Sequence, residues 1–278
     1  RELHVALGGA HIVGEIGKHG WTAPHWPREH GGRGANDATA RKIIERLDAL
    51  VVPRIPRGTG FILAAPAIRQ FSREETKRLF LPGIAAATQM WAQLFSEPGA
   101  GSDLASLACK AERDGDEWVV SGQKVWTTLG HEADIGMLIA RTDPNAPKNK
   151  GITYFGVDMH APGVEIRPLV HMTGEHEFNE VFFTDVRVPK ANMLLGIGRG
   201  FEISQVRLGP GRIHHCMRSI GAAERALELM VRRGLSREAF GKPIARLGKN
   251  TEVIGKARIE IEAMRLMVLR AARAMDTM

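Results

Sequence analysis

Several features are scarce or missing in this chain of 278 residues. It has only two cysteines, Cys109 and Cys216, too far apart for a metal-binding or redox motif, so both read as reduced thiols of an intracellular protein. No apolar run reaches the roughly 18 residues that a membrane-spanning helix needs. No block of one charge stands out either. The 38 basic residues are interleaved with 31 acids, so the net charge of +7 builds no nucleic-acid groove and better suits an anionic small ligand such as a nucleotide or phosphate ester. The glycine-rich stretch near residue 100 lacks a following Gly-Lys-Ser/Thr, which excludes a nucleotide P-loop. An initiating methionine and a signal peptide are also missing. The chain opens in what reads as mid-helix, and any targeting segment is expected to lie outside this sequence.

What is present falls into three regimes. Up to about residue 92 the pattern is helical. Ala40, Ile43, Ile44, Leu47 and Leu50 recur at helical spacing over residues 37–50 behind an Asn36-Asp37 cap. Ser72, three residues before Glu75, predicts a capping box that opens the helix carrying Leu79 and Phe80. Ahead of both, "GWTAPHWPREHGGRGAND" is too rich in Gly and Pro for a helix, and its two tryptophans are expected to fasten it to the core. From 93 to about 198 the period changes to two. Asp114-Gly115 and Ser121-Gly122 read as turns of a meander, and "IGMLIAR", "GITYFGVDM", "VEIRPL" and "NEVFFTDVRV" read as further strands. From 199 the helix returns. A helix is expected over about 212–233, followed by one with two heptad seams, Ile254, Ile261, Val268 and Met275 beside Ala257, Met264, Ala271 and Met278. The expected fold is α+β and multidomain: an N-terminal helical domain (1–92), a middle antiparallel β domain (93–198) and the first half of a C-terminal helical bundle (199–278). Half a bundle implies a chain truncated at its C-terminus.

Two short stretches carry chemistry. In "FSEPGAGSD" (95–103), Pro98 fixes a turn while Gly99, Ala100 and Gly101 keep side chains away, so that main chain can approach a ligand. In "KVWTT", alternation along one strand would project Trp126 and Thr128 from the same face, a flat ring beside a hydroxyl. "RIHHC" (212–216) offers adjacent histidines that point about 100° apart on a helix, with no carboxylate or second cysteine to complete a cage, so no metal is expected.

The runs "FSEPGAGSD", "GDEWVVSGQKVWTT", "NEVFFTDVRVPKANML", "GRGF" and "SREAFGKPI" occur in the order seen in the acyl-CoA dehydrogenase family, which the chain resembles over nearly its whole length. "LGPGRIHHC" is similar to a sub-branch that includes larger eukaryotic members with an added kinase-like domain. The resemblance implies FAD as cofactor. It places Trp126 beside the isoalloxazine ring, Thr128 near its N5, Ser96 at the pyrimidine edge, and Phe95 and Thr127 among the cofactor contacts. Ser102 would meet the CoA arm, and Arg212 the CoA moiety. Arg237 would contact the FAD pyrophosphate of a neighbouring subunit and Phe240 its adenine side, which implies a homodimer or homotetramer. Two positions depart from the family pattern there, Ala239 and Leu247.

The family reaction takes the α-proton of an acyl-CoA with a desolvated carboxylate while the β-hydride passes to flavin N5. Relatives place that base beyond the position of Met278 or near that of Gly211, and "LGPGRIHH" holds no carboxylate. Glu97 accompanies the loop turn and is not the base, so the catalytic residue stays unassigned. The resemblance further implies an electron-transfer flavoprotein as acceptor, and a cytoplasmic location in a bacterium or the mitochondrial matrix or peroxisome in a eukaryote. Two other functions fit the same residues: a flavoprotein oxidase of this architecture, and a non-catalytic flavin-binding subunit whose open helical half is covered by a partner.

Overall fold

The computed structural model describes residues 14–49 and 58–277. They fall into two units, one ending at Ser204 and the other beginning at Gln205.

The first unit begins with helices. Helix α1 (Asp37–Ala49) is capped as its sequence predicts: the Thr39 amide donates to Asn36 Oδ1 at 2.9 Å. Leu50 lies outside the described residues. The loop before α1 is anchored by Trp26, which is buried and stacks on Phe61 at 5.1 Å, and the Arg33 guanidinium lies 4.0 Å over the Trp21 ring. Helices α2 (Ala65–Phe71) and α3 (Glu74–Ala85) follow. The expected capping box does not form. Ser72 instead closes α2, its amide donating to the Ile68 carbonyl at 3.0 Å, and α3 starts behind Arg73 without a side-chain cap. A residue committed to ending one helix is displaced from the cap of the next.

The rest of this unit is one sheet of eight strands, β1 (Trp91–Leu94), β2 (Lys110–Asp114), β3 (Glu117–Lys124), β4 (Ile135–Arg141), β5 (Ile152–Asp158), β6 (Val164–Val170), β7 (His176–Pro189) and β8 (Met193–Leu194). Their order is β6-β7-β3-β2-β4-β5-β8, with β1 added alongside β4. Pairing is mainly antiparallel, as the hairpin signals suggest, but β1 and β2 run parallel to β4. Strand β1 lies within "MWAQLF", where burial on both faces leaves no alternation of period two to mark it. The Asp114-Gly115 turn forms, with Gly115 at φ +61°. Ser121-Gly122 does not turn. It is a bulge within β3, where the pairing to β7 shifts register and Gly122 takes φ +147°. A Cβ at Gly122 would lie 2.7 Å from the Cys109 Cα, so glycine allows β3 to pass close beside that backbone.

Strands β4 and β5 are buried almost end to end because both faces are covered. Met137, Ile139, Ile152 and Tyr154 pack with the helices, through contacts such as Phe80 edge-on to Trp91 at 5.2 Å. Leu138, Ala140, Phe155 and Val157 face the other way, against Trp118 and Val186.

The second unit contains most of α4 (Gly200–Ser236), then a short hairpin of β9 (Glu238–Ala239) and β10 (Lys242–Pro243), then α5 (Gly248–Asp276). The helix expected over 212–233 is far longer, because it runs unbroken through Gly209-Pro210-Gly211. Pro210 has no N–H for the Val206 carbonyl, a local loss that the rest of the helix absorbs. Ile220 and Leu227 of α4 meet Ile261 of α5 in a small core, with Ile254, Ala257 and Val268 beside them. The first expected seam therefore packs through Ile254, Ile261 and Val268, whereas Met264 of the second stays 47% exposed. It lines an apolar cavity of about 820 Å³ between the helices. Across the pair, Glu224 accepts Arg258 at 2.8 and 2.5 Å and also binds Arg265. The Arg258 guanidinium holds the Glu224 carboxyl below the usual carboxylate range. Among the described residues, no helix is long and apolar enough to cross a membrane.

Candidate functional site

The two chemistry-bearing stretches of the first unit meet at a buried ion pair that sequence reasoning missed. Lys124, the last residue of β3, is fully buried and lies 2.7 Å from Glu97, itself 8% exposed. The Glu97 carboxylate also accepts the amides of Ala108 at 2.6 Å and Cys109 at 3.0 Å. Lys124 Nζ donates in addition to the Phe95 carbonyl at 3.1 Å. Burial pushes the Lys124 ammonium below the ordinary lysine range, and negative charge on the neighbouring Cys109 sulfur, when ionised, and on the Glu97 carboxylate opposes that push. Burial pushes the Cys109 thiol up to about 11. Charge buried on this scale persists because each partner is satisfied several times over.

This cluster sets the loop. Glu97 and Ala100 exchange backbone hydrogen bonds of 2.9 and 3.1 Å around Pro98-Gly99, the rigid turn expected there. The Val125 amide donates to the Ser96 carbonyl at 2.9 Å, so the loop and the segment after β3 lie side by side. Phe95 is buried, edge-on to Tyr154 at 5.9 Å, and Ser96 is half-buried.

Beyond Lys124 the strand stops, so Trp126 and Thr128 do not share a strand face as alternation suggests. Trp126 takes φ +60° and Leu129 φ +51°, left-handed conformations that cost a side-chain-bearing residue about 1–2 kcal/mol each. The resulting turn leaves the Trp126 indole 62% exposed, edge-on to Phe178 at 5.9 Å, and Phe178 in turn stacks on His171 at 4.8 Å. Thr128 is exposed, while Thr127 is fully buried and its hydroxyl has no hydrogen-bond partner among the described residues. The turn is tied to β7 through Thr127 N to the Asn179 carbonyl at 3.0 Å and Leu129 N to the Glu177 carbonyl at 2.7 Å.

The structure thus brings Phe95, Ser96, Trp126, Thr127 and Thr128 together. Ser102 follows on the same loop and is exposed, beside Asp103, which is held by Lys148 at 2.6 Å. Arg212, Arg237 and Phe240 belong to the other unit. Arg212 is exposed on α4, and Arg237 is exposed where the β9–β10 hairpin begins, its carbonyl accepting the Ile244 amide at 2.9 Å. Phe240 forms the hairpin tip at φ +56° and is 91% exposed. The missed Lys124 left a signal: it shares parity with the buried Trp118 and Val120 along β3, an inward position where an amine needs an acid. Asn179 and His131, which flank the turn, left none.

A planar cofactor fits this arrangement. A large indole is kept exposed at a backbone cost, beside a buried hydroxyl without a partner among the described residues, and a loop with few side chains runs alongside. That is a surface prepared for a flat, hydrogen-bonding ring.

Comparison with known proteins points the same way. Family models for the N-terminal, middle and C-terminal domains of acyl-CoA dehydrogenases match residues 4–88, 92–186 and 198–278. Acyl-CoA dehydrogenase FadE34 of Mycobacterium tuberculosis is 46% identical over 194 residues, which are 70% of this chain and 27% of that protein. The matched segments amount to between about a quarter and a half of the first curated relatives. Among solved structures, an acyl-CoA dehydrogenase from Geobacillus kaustophilus superposes with a TM-score of 0.78 at 29% identity, covering 95% of this chain and 70% of that one. A glutaryl-CoA dehydrogenase from Mycobacterium smegmatis in complex with FADH2 gives 0.71 at 26% identity, covering 95% and 67%. With its helical, β and helical parts matched in order, the chain belongs to the acyl-CoA dehydrogenase family.

Proposed function

We propose that this chain holds FAD and an acyl-CoA for α,β-dehydrogenation of the thioester. The observation that carries the reading is the exposed, left-handed Trp126 locked beside the 95–102 loop by the Glu97–Lys124 pair. FAD bound there supplies the acceptor for the β-hydride of the substrate. The indole of Trp126 is the platform for one ring face, with Thr127, Thr128, Phe95 and Ser96 around its edge. Ser102 and Arg212 hold the CoA part. Gly99, Ala100 and Gly101 let main chain approach both molecules. Exclusion of water falls to the buried flank of the loop, Phe95 and Ala100.

Abstraction of the α-proton needs a carboxylate, and the helix around Gly211 presents none. Glu97 is committed to Lys124 and two backbone amides. We therefore place the base outside the described residues. Arg237 and the projecting Phe240 ring suit contact with the cofactor of a neighbouring subunit, which makes the working form a homo-oligomer; an electron-transfer flavoprotein takes the electrons onward. The domain limits near 92 and 198 belong to the same reading.

The test is to purify the chain with FAD, record the flavin absorbance, and add a series of acyl-CoAs without oxygen. Flavin that binds but is not bleached is the expected result. Bleaching would put a base within these residues, and absence of bound flavin would remove the reading. A second reading, a non-catalytic subunit, draws on the apolar cavity between α4 and α5. A tight complex with another polypeptide would favour it.

A further inference from the structure

Behind the Trp126–Leu129 turn lies a small polar cluster that the proposed reaction does not use. Asn179 is fully buried on β7. Its Nδ2 donates to the Thr127 carbonyl at 3.0 Å and lies 3.2 Å from His131 Nδ1, while its Oδ1 lies 2.7 Å from His176 Nε2. The two imidazoles stack, with centroids 4.0 Å apart and planes inclined by 22°. A carbonyl can only accept, so the Asn179 amide must turn its NH₂ toward Thr127. That orientation settles the rest. Oδ1 faces His176, whose Nε2 carries a proton, and the second Nδ2 hydrogen faces His131, whose Nδ1 must offer a lone pair. The packing leaves no slack: a Cβ at Gly130 would lie 3.0 Å from the Thr127 methyl and 3.4 Å from Asn179 Nδ2.

We infer that His131 and Asn179 are positioning residues, which fix the turn presenting Trp126 by directing one amide proton into a histidine acceptor. The inference rests on the flavin reading of Trp126 and adds the device that aims it. Two left-handed residues in four make the turn costly. Asn179 balances that cost by bonding Thr127 through both its side chain and its backbone carbonyl. His131 consumes the second amide hydrogen and so holds the amide in the one orientation that serves Thr127.

Two substitutions separate positioning from bulk stability. His131→Phe keeps a ring to stack on His176 but deletes the acceptor, whereas His131→Gln restores an acceptor oxygen. FAD affinity is measured by equilibrium dialysis on the whole chain. Because the chain has five tryptophans, the Trp126 environment is read as the difference in near-UV circular dichroism between each flavin-free protein and its Trp126→Phe counterpart. His131→Phe is expected to weaken FAD binding about tenfold, the effect of one lost buried hydrogen bond, and to alter the tryptophan dichroism. His131→Gln is expected to restore both. Unchanged dichroism and affinity in His131→Phe would overturn the inference while leaving the flavin reading intact. Equal losses in both variants would reduce His131 to packing and overturn it as well. If the unsubstituted chain binds no FAD, the flavin reading fails, and the dichroism alone then decides whether His131 sets the turn.

Discussion

Replacing Lys124 by methionine isolates the link between the buried ion pair and the loop. Methionine nearly matches the lysine stem in volume, so the change removes charge and donors more than packing. Two interactions are then lost at once. The Phe95 carbonyl loses its 3.1 Å donor, Glu97 loses its 2.7 Å partner, and the carboxylate stays at 8% exposure with only the Ala108 and Cys109 amides. Breaking a buried pair from one side costs about 3–5 kcal/mol. With a urea m-value of about 3 kcal/mol/M, the unfolding midpoint falls by about 1–1.7 M. All five tryptophans lie at or before Trp126, so their emission follows the first unit alone. The double variant Lys124→Met with Glu97→Gln buries no charge, and its Gln carbonyl can still accept one backbone amide. It should recover at least about 1 kcal/mol of the loss. A loss below about 1 kcal/mol in Lys124→Met would refute the claim that this pair locks the loop.

Four further outcomes follow from the same structure. Trp126→Asn, a residue that tolerates the left-handed backbone, should hold stability within about 1 kcal/mol while FAD retention on a desalting column collapses. Thiol labelling of the folded chain should modify Cys216 and spare the buried Cys109 until denaturant is added. Because the folded Cys109 thiol titrates at about 11 and an unfolded one near 8.5, the unfolded chain binds fewer protons in between, so this group lowers stability as pH rises through that window; Cys109→Ala should flatten that part of a stability profile. Asn36→Ala should cost α1 about 1 kcal/mol, read as faster amide exchange in its first turn.

Much of the architecture was legible because local rules agree with the fold. The Asn36 cap, the Gly115 turn and strands β4 and β5 all lie where residue types alone put them. Other features depend on contacts distant in sequence. Ser72 could cap α3 or close α2, and only the packing of α2 decides. Ser121-Gly122 looks like a turn, yet the approach of Cys109 makes it a bulge. Period two runs on through Trp126 in sequence, but the Thr127 and Leu129 amides find partners on β7, and the strand ends at Lys124. For the site, the motif loop and the tryptophan were visible. The groups that hold them, Glu97 with Lys124 and Asn179 with His131, lie from 27 to 48 residues apart and became apparent only once β3 and β7 were paired.

The central claim is that a flavin ring rests on Trp126 beside the 95–102 loop. An experimental structure of the chain loaded with FAD tests it most directly. The account predicts the isoalloxazine ring against the indole, with its edge toward Thr127, Thr128 and Ser96. A flavin seated elsewhere, with Trp126 still open to solvent, would contradict it.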